Sequence, residues 1–392
     1  MEPSPWRELL VVQVGDSIAC SFAAKLMVDL GCECVLVELP APSGRLNRQG
    51  TVDDDIDPGL SASFTYLNWS KKSVTCDYAR PEGIDLLRKI CASADVLIRQ
   101  EFDEELEEYW EGQAHALPSS LIELKISAFG EGPYAGYRAD GTAILSLMGL
   151  TYTDGDPDRE PLAVRPDLCE YFVGLDAFDS ILAALYPRTR TGEGCRIELS
   201  MLDSALKLDE YNLIFPQSMG LARKRYYSRG IQGVGPEVLE CQDGYVVGGI
   251  NRLGSDLALL IERPDLIDDP LFIDPEYRMH HWDELNRLIE DWMRTHSREE
   301  ASTRAQELRI PIAPLFRVAE LLENEHVRDR GSVRWVADGT GTKIPLVGPL
   351  FRLGSYVPRS EPAPRPGEHT REWFEPLIGG QVLDEARRGG IV

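Results

Sequence analysis

The sequence predicts an α/β protein whose larger part is a doubly wound parallel sheet, and three observations support this prediction. From residue 9 to residue 98, short apolar runs typical of strands alternate with helical patterns of about a dozen residues. Strands joined by helices of this length run parallel, because the connection must return to the starting edge of the sheet. At 392 residues the chain also exceeds one ordinary hydrophobic core, so we expect two domains.

The first strands and helices are marked by their boundaries. The apolar run 9–14 ends at Gly15-Asp16-Ser17, which is a turn followed by a helix N-cap residue, and the helical pattern 19–30 that follows ends at Gly31. A second helix begins at Pro81 and extends to about residue 93. The other strands predicted for this sheet are 34–38, 73–76, 95–98 and 121–126.

The composition changes in the middle of the chain. Residues 151–166 are rich in Asp, Gly, Pro and Arg and predict a long surface loop. The elements predicted after this loop are a helix at 170–186, a turn at 190–194, a strand at 195–200 and a helix at 201–211.

The pattern changes again after Pro216. Residues 238–250 alternate as in a hairpin around Asp243-Gly244, and a polar helical segment follows to about residue 308. We therefore expect a second domain here. The tail at 358–366 is rich in proline and is predicted to be extended.

Charge and composition argue against several function classes. The chain has 41 basic and 65 acidic residues, a net charge of −24, which is unfavourable for nucleic-acid binding. No apolar stretch approaches the ~20 residues of a membrane span, and the first residues lack the pattern of a secretory signal, so we expect a cytoplasmic protein. Among the scattered cysteines only Cys32 and Cys34 are close, which predicts free thiols and no metal site.

Common catalytic motifs are absent. The sequence contains no GxGxxG after the first strand, no GxxxxGK[ST], no HExxH and no GxSxG. These absences argue against most of the common nucleotide-binding, zinc-hydrolase and serine-hydrolase activities.

Several segments, in their order and spacing, resemble the class III CoA-transferase family, which includes formyl-CoA, carnitine and bile-acid CoA-transferases and 2-methylacyl-CoA racemases. They extend over nearly the whole chain. The segments are LMVDLGCECVLVE (26–38), LNWSKKSVTCD (67–77), ISAFGEGPY (126–134), EYFVG (170–174), RTRTGEG (188–194), ELSMLD (198–203), IPIAPL (310–315) and PRPGEHT (364–370).

The resemblance implies a fold, an assembly and an activity. The fold is a Rossmann-like large domain formed by residues 1–220 and 326–392, with a smaller α+β domain at 221–325, and two chains form an interlocked homodimer. The activity is transfer of CoA between an acyl-CoA and a carboxylic acid, with CoA as substrate and carrier and without a metal. Nucleic acid and membrane are not expected as partners.

The resemblance also identifies a candidate nucleophile. The family uses an Asp at the start of the helix after the long loop, and the matching residue is Glu170. A carboxylate there would attack an acyl-CoA thioester and then carry CoA as an enzyme-bound thioester. The other interpretation is that Glu170 is an acid favoured by the helix dipole. Asp167 and Asp176 are then the alternative nucleophiles.

The family's CoA contacts correspond to three short segments of this chain, and two basic residues usual in the family are Leu39 and Ala79 here. The acidic run after the fourth strand, EFDEELEE (101–108), would repel the phosphates of CoA. Cations such as Arg45, Lys71 and Arg99 are expected to substitute for the missing basic contacts. The residues predicted to bind CoA are Ser17, Ile18, Ala19, Arg45, Lys71, Cys76, Asp77, Tyr78, Ala79, Arg99, Gln100 and Asp140.

The resemblance leaves three functions open. We predict CoA transfer through Glu170; the alternatives are an altered or inactive paralogue that binds another acyl ligand or serves as a partner subunit, and a CoA-independent lyase or isomerase. Racemisation is not predicted, because family racemases use a His before the Asp that corresponds to Asp140, and that position is Ala139.

Overall fold

The computed structural model describes residues 4, 6–15, 17–40, 62–113, 116–220, 224–225, 237–248, 254–337, 343–359 and 361–392. The chain divides into two compact units, each formed by separated segments. The first comprises Met1–Leu150, Ala163–Met219 and Arg328–Val392, and the second comprises Thr151–Leu162 and Gly220–Val327.

The first unit is built on a six-stranded sheet in which all neighbouring strands are parallel. The spatial order is β3-β2-β1-β4-β5-β6, so the winding reverses between β1 and β4. This confirms the predicted doubly wound sheet, and every predicted strand is present to within two residues at either end. The strands are β1 (Leu10–Val14), β2 (Glu33–Glu38), β3 (Lys72–Thr75), β4 (Val96–Gln100), β5 (Ile122–Ser127) and β6 (Arg196–Ser200).

Helices cover both faces of this sheet. Side chains of a strand alternate between faces, and in β1 Val11 enters one hydrophobic core while Val12 and Val14 enter the other. The strands therefore consist of nearly continuous apolar residues, as expected when both faces are buried. The helices up to residue 219 are α1 (Ile18–Asp29), α2 (Ala62–Asn68), α3 (Pro81–Cys91), α4 (Glu104–Gly112), α5 (Gly141–Leu147), α6 (Leu150–Thr153), α7 (Pro166–Thr191), α8 (Met201–Leu206) and α9 (Glu210–Met219).

Helix α7 is longer than the predicted helix 170–186 at both ends. It begins at Pro166, because proline is well suited to the first helical position, where no amide donor is needed. It continues past Pro187 because Arg188 forms an ion pair of 2.6 Å with Asp95, which holds the last turns in place. It ends at Gly192, whose φ of 72° is left-handed.

The predicted helix 201–211 was wrong as one element. A 3₁₀ turn at Lys207–Asp209 separates α8 from α9. The side chain of Lys207 in this turn forms an ion pair with Asp176 of α7. The sequence pattern missed the break because its apolar residues continue across it.

The second unit contains the predicted hairpin around Asp243-Gly244, which is confirmed as an antiparallel pair extended by a third strand. Its core is formed by the inner side chains of these strands and of the surrounding helices. The elements are β7 (Glu237–Cys241), β8 (Gly244–Gly248), α10 (Ser255–Leu260), α11 (Pro270–Ile273), α12 (Pro275–His280), α13 (Trp282–Met293), α14 (Arg298–Glu307), β9 (Ile312–Pro314), α15 (Val318–Glu323) and α16 (Glu325–Arg330).

The last segment of the first unit covers the edge of the sheet at β3. The amide of His369 donates to the carbonyl of Ser73 at 2.8 Å, and the amide of Asp77 donates to the carbonyl of Ile391 at 2.7 Å. Covering an edge strand in this way satisfies groups that would otherwise pair with another chain. Four elements of this segment were not predicted: β10 (Val333–Ala337), β11 (Lys343–Val347), α17 (Thr370–Ile378) and α18 (Gly380–Arg388). No helix among the described ranges has the length and apolar character of a membrane span.

Arg99 connects α4 to the sheet through buried ion pairs. Its Nε donates to Glu123 at 2.8 Å and its Nη1 and Nη2 donate to the two carboxylate oxygens of Glu107 at 2.8 Å each. Trp110 donates its indole N–H to the same Glu123 oxygen at 2.8 Å. The cluster therefore fixes α4 against β4 and β5.

We expect the Arg99→Met variant to lose about 3–5 kcal/mol of unfolding free energy, because Glu107 loses both of its bonds to the guanidinium and the buried Glu123 keeps only the cation of Arg196, at 3.4 Å. Urea unfolding followed by circular dichroism measures this. The control is Arg138→Met, whose ion pair with Asp103 is exposed and should contribute no more than about 1 kcal/mol. Equal losses in the two variants would contradict a structural role for the Arg99 cluster.

Candidate active site

The turn between β1 and α1 lies at the carboxyl edge of the sheet, where the winding reverses. Ligands of open α/β sheets bind in the crevice beside this point. Gly15 forms the turn with a φ of 78°, a conformation that suits glycine, and its amide donates to the carbonyl of Val37 at 3.1 Å. The turn therefore brings the N-terminus of α1 to this edge.

The first turn of α1 holds the carboxylate of Glu170. Ser17 caps the helix, its Oγ accepting from the amide of Cys20 at 3.2 Å. The amide of Ile18 donates to Glu170 Oε2 at 3.1 Å, and the neighbouring amide of Ala19 also stabilises the charged carboxylate and so lowers its pKa. Helix N-termini have unpaired amides and a positive dipole end, so they favour an anion here.

Close packing of α7 on α1 brings Glu170 to these amides. One turn after Glu170, a Cβ added at Gly174 would lie 2.8 Å from the carbonyl oxygen of Ala19 and 3.0 Å from Cβ of Phe22. A larger residue would therefore push the helices apart. The rings of Phe22 and Tyr171 meet edge to face at 4.9 Å. Sequence reasoning did not identify Gly174 as a functional residue, although a glycine inside an apolar helical pattern was a usable signal.

The electrostatic surroundings of Glu170 oppose its ionisation. Burial raises the pKa of the Glu170 carboxyl, and the nearby carboxylates of Asp140 and Asp167 raise it further. The amides of Ile18 and Ala19 act in the opposite direction by stabilising the charged form. The result is a partly desolvated carboxylate whose hydrogen bonds come from backbone amides, with no cationic side chain paired to it within the described ranges.

The two alternative nucleophiles are both paired with cations. Asp167 accepts from Arg165 at 2.5 and 3.1 Å. Asp176 accepts from Lys207. A carboxylate engaged with a cation is a weaker nucleophile, so the geometry favours Glu170.

Several other predicted site residues lie at the same edge of the sheet. Asp140 caps α5, its Oδ1 accepting from the amide of Ala143 at 2.9 Å. Tyr78 approaches the first turn, its hydroxyl lying 3.5 Å from a Cβ built on Gly15. Ala79 is exposed and Gln100 ends β4.

Four predicted contacts are not free to meet a ligand. Cys76 is fully buried and its thiol bonds the carbonyl of Gly83, and Asp77 pairs with Arg80 at 2.8 Å. The prediction that Lys71 and Arg99 hold phosphates conflicts with their burial, since both cations are enclosed by protein acceptors. Arg45 lies outside the described residues.

An acidic cavity of about 550 Å³ adjoins the carboxyl ends of β4 and β5. Its walls are formed by α4 and by the loop at 135–139. The acidic residues in the first turn of α4 interact favourably with the positive end of the helix dipole. Arg138 is the one basic residue among its lining residues, and it pairs with Asp103. The acidic residues of the wall are Glu101, Asp103, Glu104, Glu107, Glu108 and Glu111.

The described residues hold no cluster of three or more His, Cys, Asp or Glu side chains arranged to bind a metal ion. Seven of the eight cysteines are buried free thiols and Cys195 is exposed. Burial raises the pKa of the Cys34 thiol to about 11, so this thiol is protonated at neutral pH.

Sequence and structure comparisons agree on one group of proteins. The sequence profile of CoA-transferase family III matches residues 7–370. The chain is 28% identical to succinyl-CoA–D-citramalate CoA-transferase of Chloroflexus aurantiacus, over 96% of this chain and 95% of that protein. It is 26% identical to formyl-CoA:oxalate CoA-transferase of Streptomyces coelicolor, over 94% and 95%. The crystal structure of a CaiB/BaiF family protein from Brucella suis has the same fold, with a TM-score of 0.79 and 24% identity over 96% of this chain and all of that one.

We expect the Glu170→Gln variant to be more stable than the wild type at pH 7. The pKa of Glu170 in the folded protein lies above its ordinary value of 4.5. The free energy of unfolding therefore falls as the pH rises from this ordinary value to the folded-state pKa, because the carboxyl ionises less readily in the folded protein than in the unfolded chain. The advantage of the neutral amide should therefore appear above about pH 4.5 and vanish below it. Urea unfolding at several pH values measures it. Glu131→Gln, at an exposed position, is the control and should change stability by less than about 0.5 kcal/mol. A destabilised Glu170→Gln variant at pH 7 would contradict this account.

Proposed function

The chain belongs to CoA-transferase family III, and from this we propose that it transfers CoA between an acyl-CoA and a carboxylic acid through a covalent intermediate on Glu170. The observation that supports the proposal most directly is the carboxylate of Glu170 held by the amides of Ile18 and Ala19 at the reversal of the sheet. The relatives named above transfer CoA from formyl-CoA or succinyl-CoA to another acid.

In the first half of the reaction, Glu170 acts as nucleophile and then as carrier. A carboxylate oxygen of Glu170 attacks the thioester carbonyl carbon, the C–S bond breaks, and CoA leaves as thiolate. The product is a mixed anhydride of Glu170 and the acyl group. The thiolate then attacks Cδ of Glu170, the anhydride C–O bond breaks, and the donor acid leaves as a carboxylate.

The second half reverses these steps with the acceptor. The acceptor carboxylate attacks Cδ of the Glu170 thioester and releases the thiolate, forming a second anhydride. The thiolate attacks the acceptor's acyl carbon, and Glu170 returns to its carboxylate form. Each step moves one acyl group and one electron pair, so no proton donor or oxidant is required.

The backbone amides have a role in both halves. Attack at Cδ of Glu170 places negative charge on the oxygen that the Ile18 amide already holds at 3.1 Å. Preorganised donors of this kind stabilise such charge more than they stabilise the starting state. Burial also removes water from the carboxylate, which makes it a stronger nucleophile when ionised.

Assembly is part of the proposal. We propose that the chain works as the homodimer implied by the family resemblance. The first unit is assembled from three separated chain segments, which is compatible with a fold completed only when two chains associate.

We expect mass spectrometry to find a modified Glu170 after incubation with an acyl-CoA and hydroxylamine, because an anhydride or thioester there reacts with hydroxylamine and an ordinary carboxylate does not. Glu170→Gln should abolish both trapping and transfer. Glu170→Asp should lower kcat roughly 10–100-fold, because the shorter side chain withdraws from the Ile18 amide by about 1 Å.

The matched control is Asp176→Asn on the same helix, whose carboxylate is bound to Lys207. Its trapping and transfer should match the wild type. Transfer that survives in Glu170→Gln would rule out the glutamyl intermediate.

The acidic cavity favours a second candidate, a family member altered to bind an acyl ligand other than a CoA thioester. The resemblance assigns CoA contacts beside Gln100, where six carboxylates line the cavity. Phosphates brought to this wall would be repelled. Lys71 and Arg99, the cations expected to offset this repulsion, are enclosed by protein groups.

Titration calorimetry with CoA and acetyl-CoA separates the two candidates. We expect the wild type to bind CoA with an affinity that falls as the salt concentration rises. The double variant Glu104→Gln, Glu108→Gln removes two negative charges from the cavity wall, and it should bind CoA about three- to tenfold more tightly, on the order of 1 kcal/mol. Glu193→Gln, before the amino end of β6 at the opposite edge, is the control and should not change the affinity. No binding of either compound at millimolar concentration would favour the altered ligand.

A further inference from the structure

Lys71 is a buried cation whose hydrogen-bond partners are all neutral. Its Nζ donates to Gln13 Oε1 at 2.7 Å, to Asn68 Oδ1 at 2.9 Å and to the carbonyl of Ser21 at 3.0 Å. All four residues are at most 3% exposed. The ammonium thus connects β1, α1 and the end of α2 from its position just before β3.

The ammonium determines which way the Gln13 amide points. A lysine ammonium can only donate, so the group facing it must be the Gln13 oxygen. The NH₂ group of Gln13 then faces the opposite direction. It donates to the carbonyl of Gly15 at 2.7 Å and to Ser21 Oγ at 2.8 Å.

The bond to Gly15 acts on the turn that leads into α1. The carbonyl of Gly15 accepts from Gln13 while its amide donates to Val37, so both sides of the left-handed residue are held. Two residues later the chain reaches Ser17, and the next two amides hold Glu170. A shift in the plane of the Gly15 carbonyl would therefore move these amides.

We propose that Lys71 and Gln13 are positioning residues, which orient the β1–α1 turn and, through it, the backbone amides that hold Glu170. The proposal rests on the proposed function in that it takes Glu170 as the nucleophile. It gives Lys71 a role different from the phosphate contact expected from the sequence.

The energetic cost of Lys71 supports a role beyond packing. Burial lowers the pKa of its ammonium to about 8, so keeping the charge inside the protein costs stability at neutral pH. An apolar side chain of similar volume fills such a position without this cost. What an apolar side chain cannot do is hold the Gln13 oxygen and so direct the Gln13 NH₂ group to Gly15.

Removing Lys71 itself is not a clean test. A Lys71→Met variant leaves three buried acceptors without donors, each costing about 1–3 kcal/mol, and this loss alone could unfold the protein. The Gln13→Glu variant tests the proposal more directly, because it keeps the bond to Lys71. The carboxylate still accepts from Lys71, now as an ion pair, but it places an oxygen where the NH₂ group donated to the Gly15 carbonyl.

Asn68→Asp is the matched control. It also gives Lys71 an ion pair and also replaces a donor by an oxygen, but the bond it loses goes to the carbonyl of Phe64 inside α2, not to the turn. The two variants therefore add the same charge to the same ammonium. Gln13→Glu also removes the donor to Ser21 Oγ, but that hydroxyl can rotate and donate to the new carboxylate, whereas the Gly15 carbonyl can only accept. The loss that has no replacement is the bond to the turn.

Two measurements are made on both variants in the full-length protein. The first is the steady-state rate of CoA transfer. The second is the pKa of Glu170, followed by ¹³C NMR on protein labelled at the glutamate side-chain carboxyls, with its signal identified by its absence when Glu170→Gln is added to the same background.

We expect Gln13→Glu to lower kcat roughly 10–100-fold with little change in KM, since the nucleophile is displaced by a fraction of an ångström to 1 Å. We also expect the pKa of Glu170 to rise by about one unit, because its amide donors move away. Asn68→Asp should leave both quantities near the wild-type values.

Equal effects of the two variants on kcat and on the Glu170 pKa would overturn the proposal, and so would the absence of any effect of Gln13→Glu. A Gln13→Glu protein that fails to fold while Asn68→Asp folds would also overturn it, because the amide would then serve the fold. If the wild type does not transfer CoA, the proposed function fails, and the Glu170 pKa still decides whether Lys71 and Gln13 position its amides.

Discussion

The hydrogen bond from the Ile18 amide to Glu170 joins two residues 152 positions apart, and the geometry of the candidate site depends on it. It forms only if β1 ends in the Gly15 turn, if α1 begins immediately afterwards, and if α7 approaches α1 closely enough at Gly174. Each condition is local, but the bond requires all of them at once. A carboxylate placed this way is held by backbone donors, whose positions are fixed by the fold and do not depend on side-chain rotamers.

Two buried cations of this acidic protein have different kinds of partners. Of the few cations that are buried, Arg99 is surrounded by carboxylates and connects α4 to the sheet, whereas Lys71 is surrounded by neutral oxygens and orients an amide. The first arrangement gains Coulomb energy from its partners. The second has no anion among its hydrogen-bond partners, and its effect is on orientation: a group that can only donate fixes which atom of each neighbour faces it.

The acidic wall of the cavity beside β4 and the amides of the first turn of α1, the amide cradle of Glu170, have opposite electrostatic effects. The cradle favours an anion, such as a carboxylate or a developing oxyanion. The wall disfavours phosphate. Both lie at the carboxyl edge of one sheet, so the proposed transfer of CoA requires that its phosphates bind away from the acidic wall.

The sequence alone determined the doubly wound sheet, its strands to within two residues, and Glu170 as the candidate nucleophile, because apolar periodicity, turn residues and family segments are all local in the chain. It did not determine the start of α7 at Pro166, the helices at Thr370–Ile378 and Gly380–Arg388, or the partners of Lys71 and Arg99. Those depend on contacts between distant segments. A lysine and an arginine near strand ends have the same sequence signal whether they face a ligand or the interior, and only the packing of α1, α2 and α4 around them decided that both face inward. In the same way, Gln13 is one polar residue in an apolar strand, and its role follows from Lys71, Ser21 and Gly15 meeting around it.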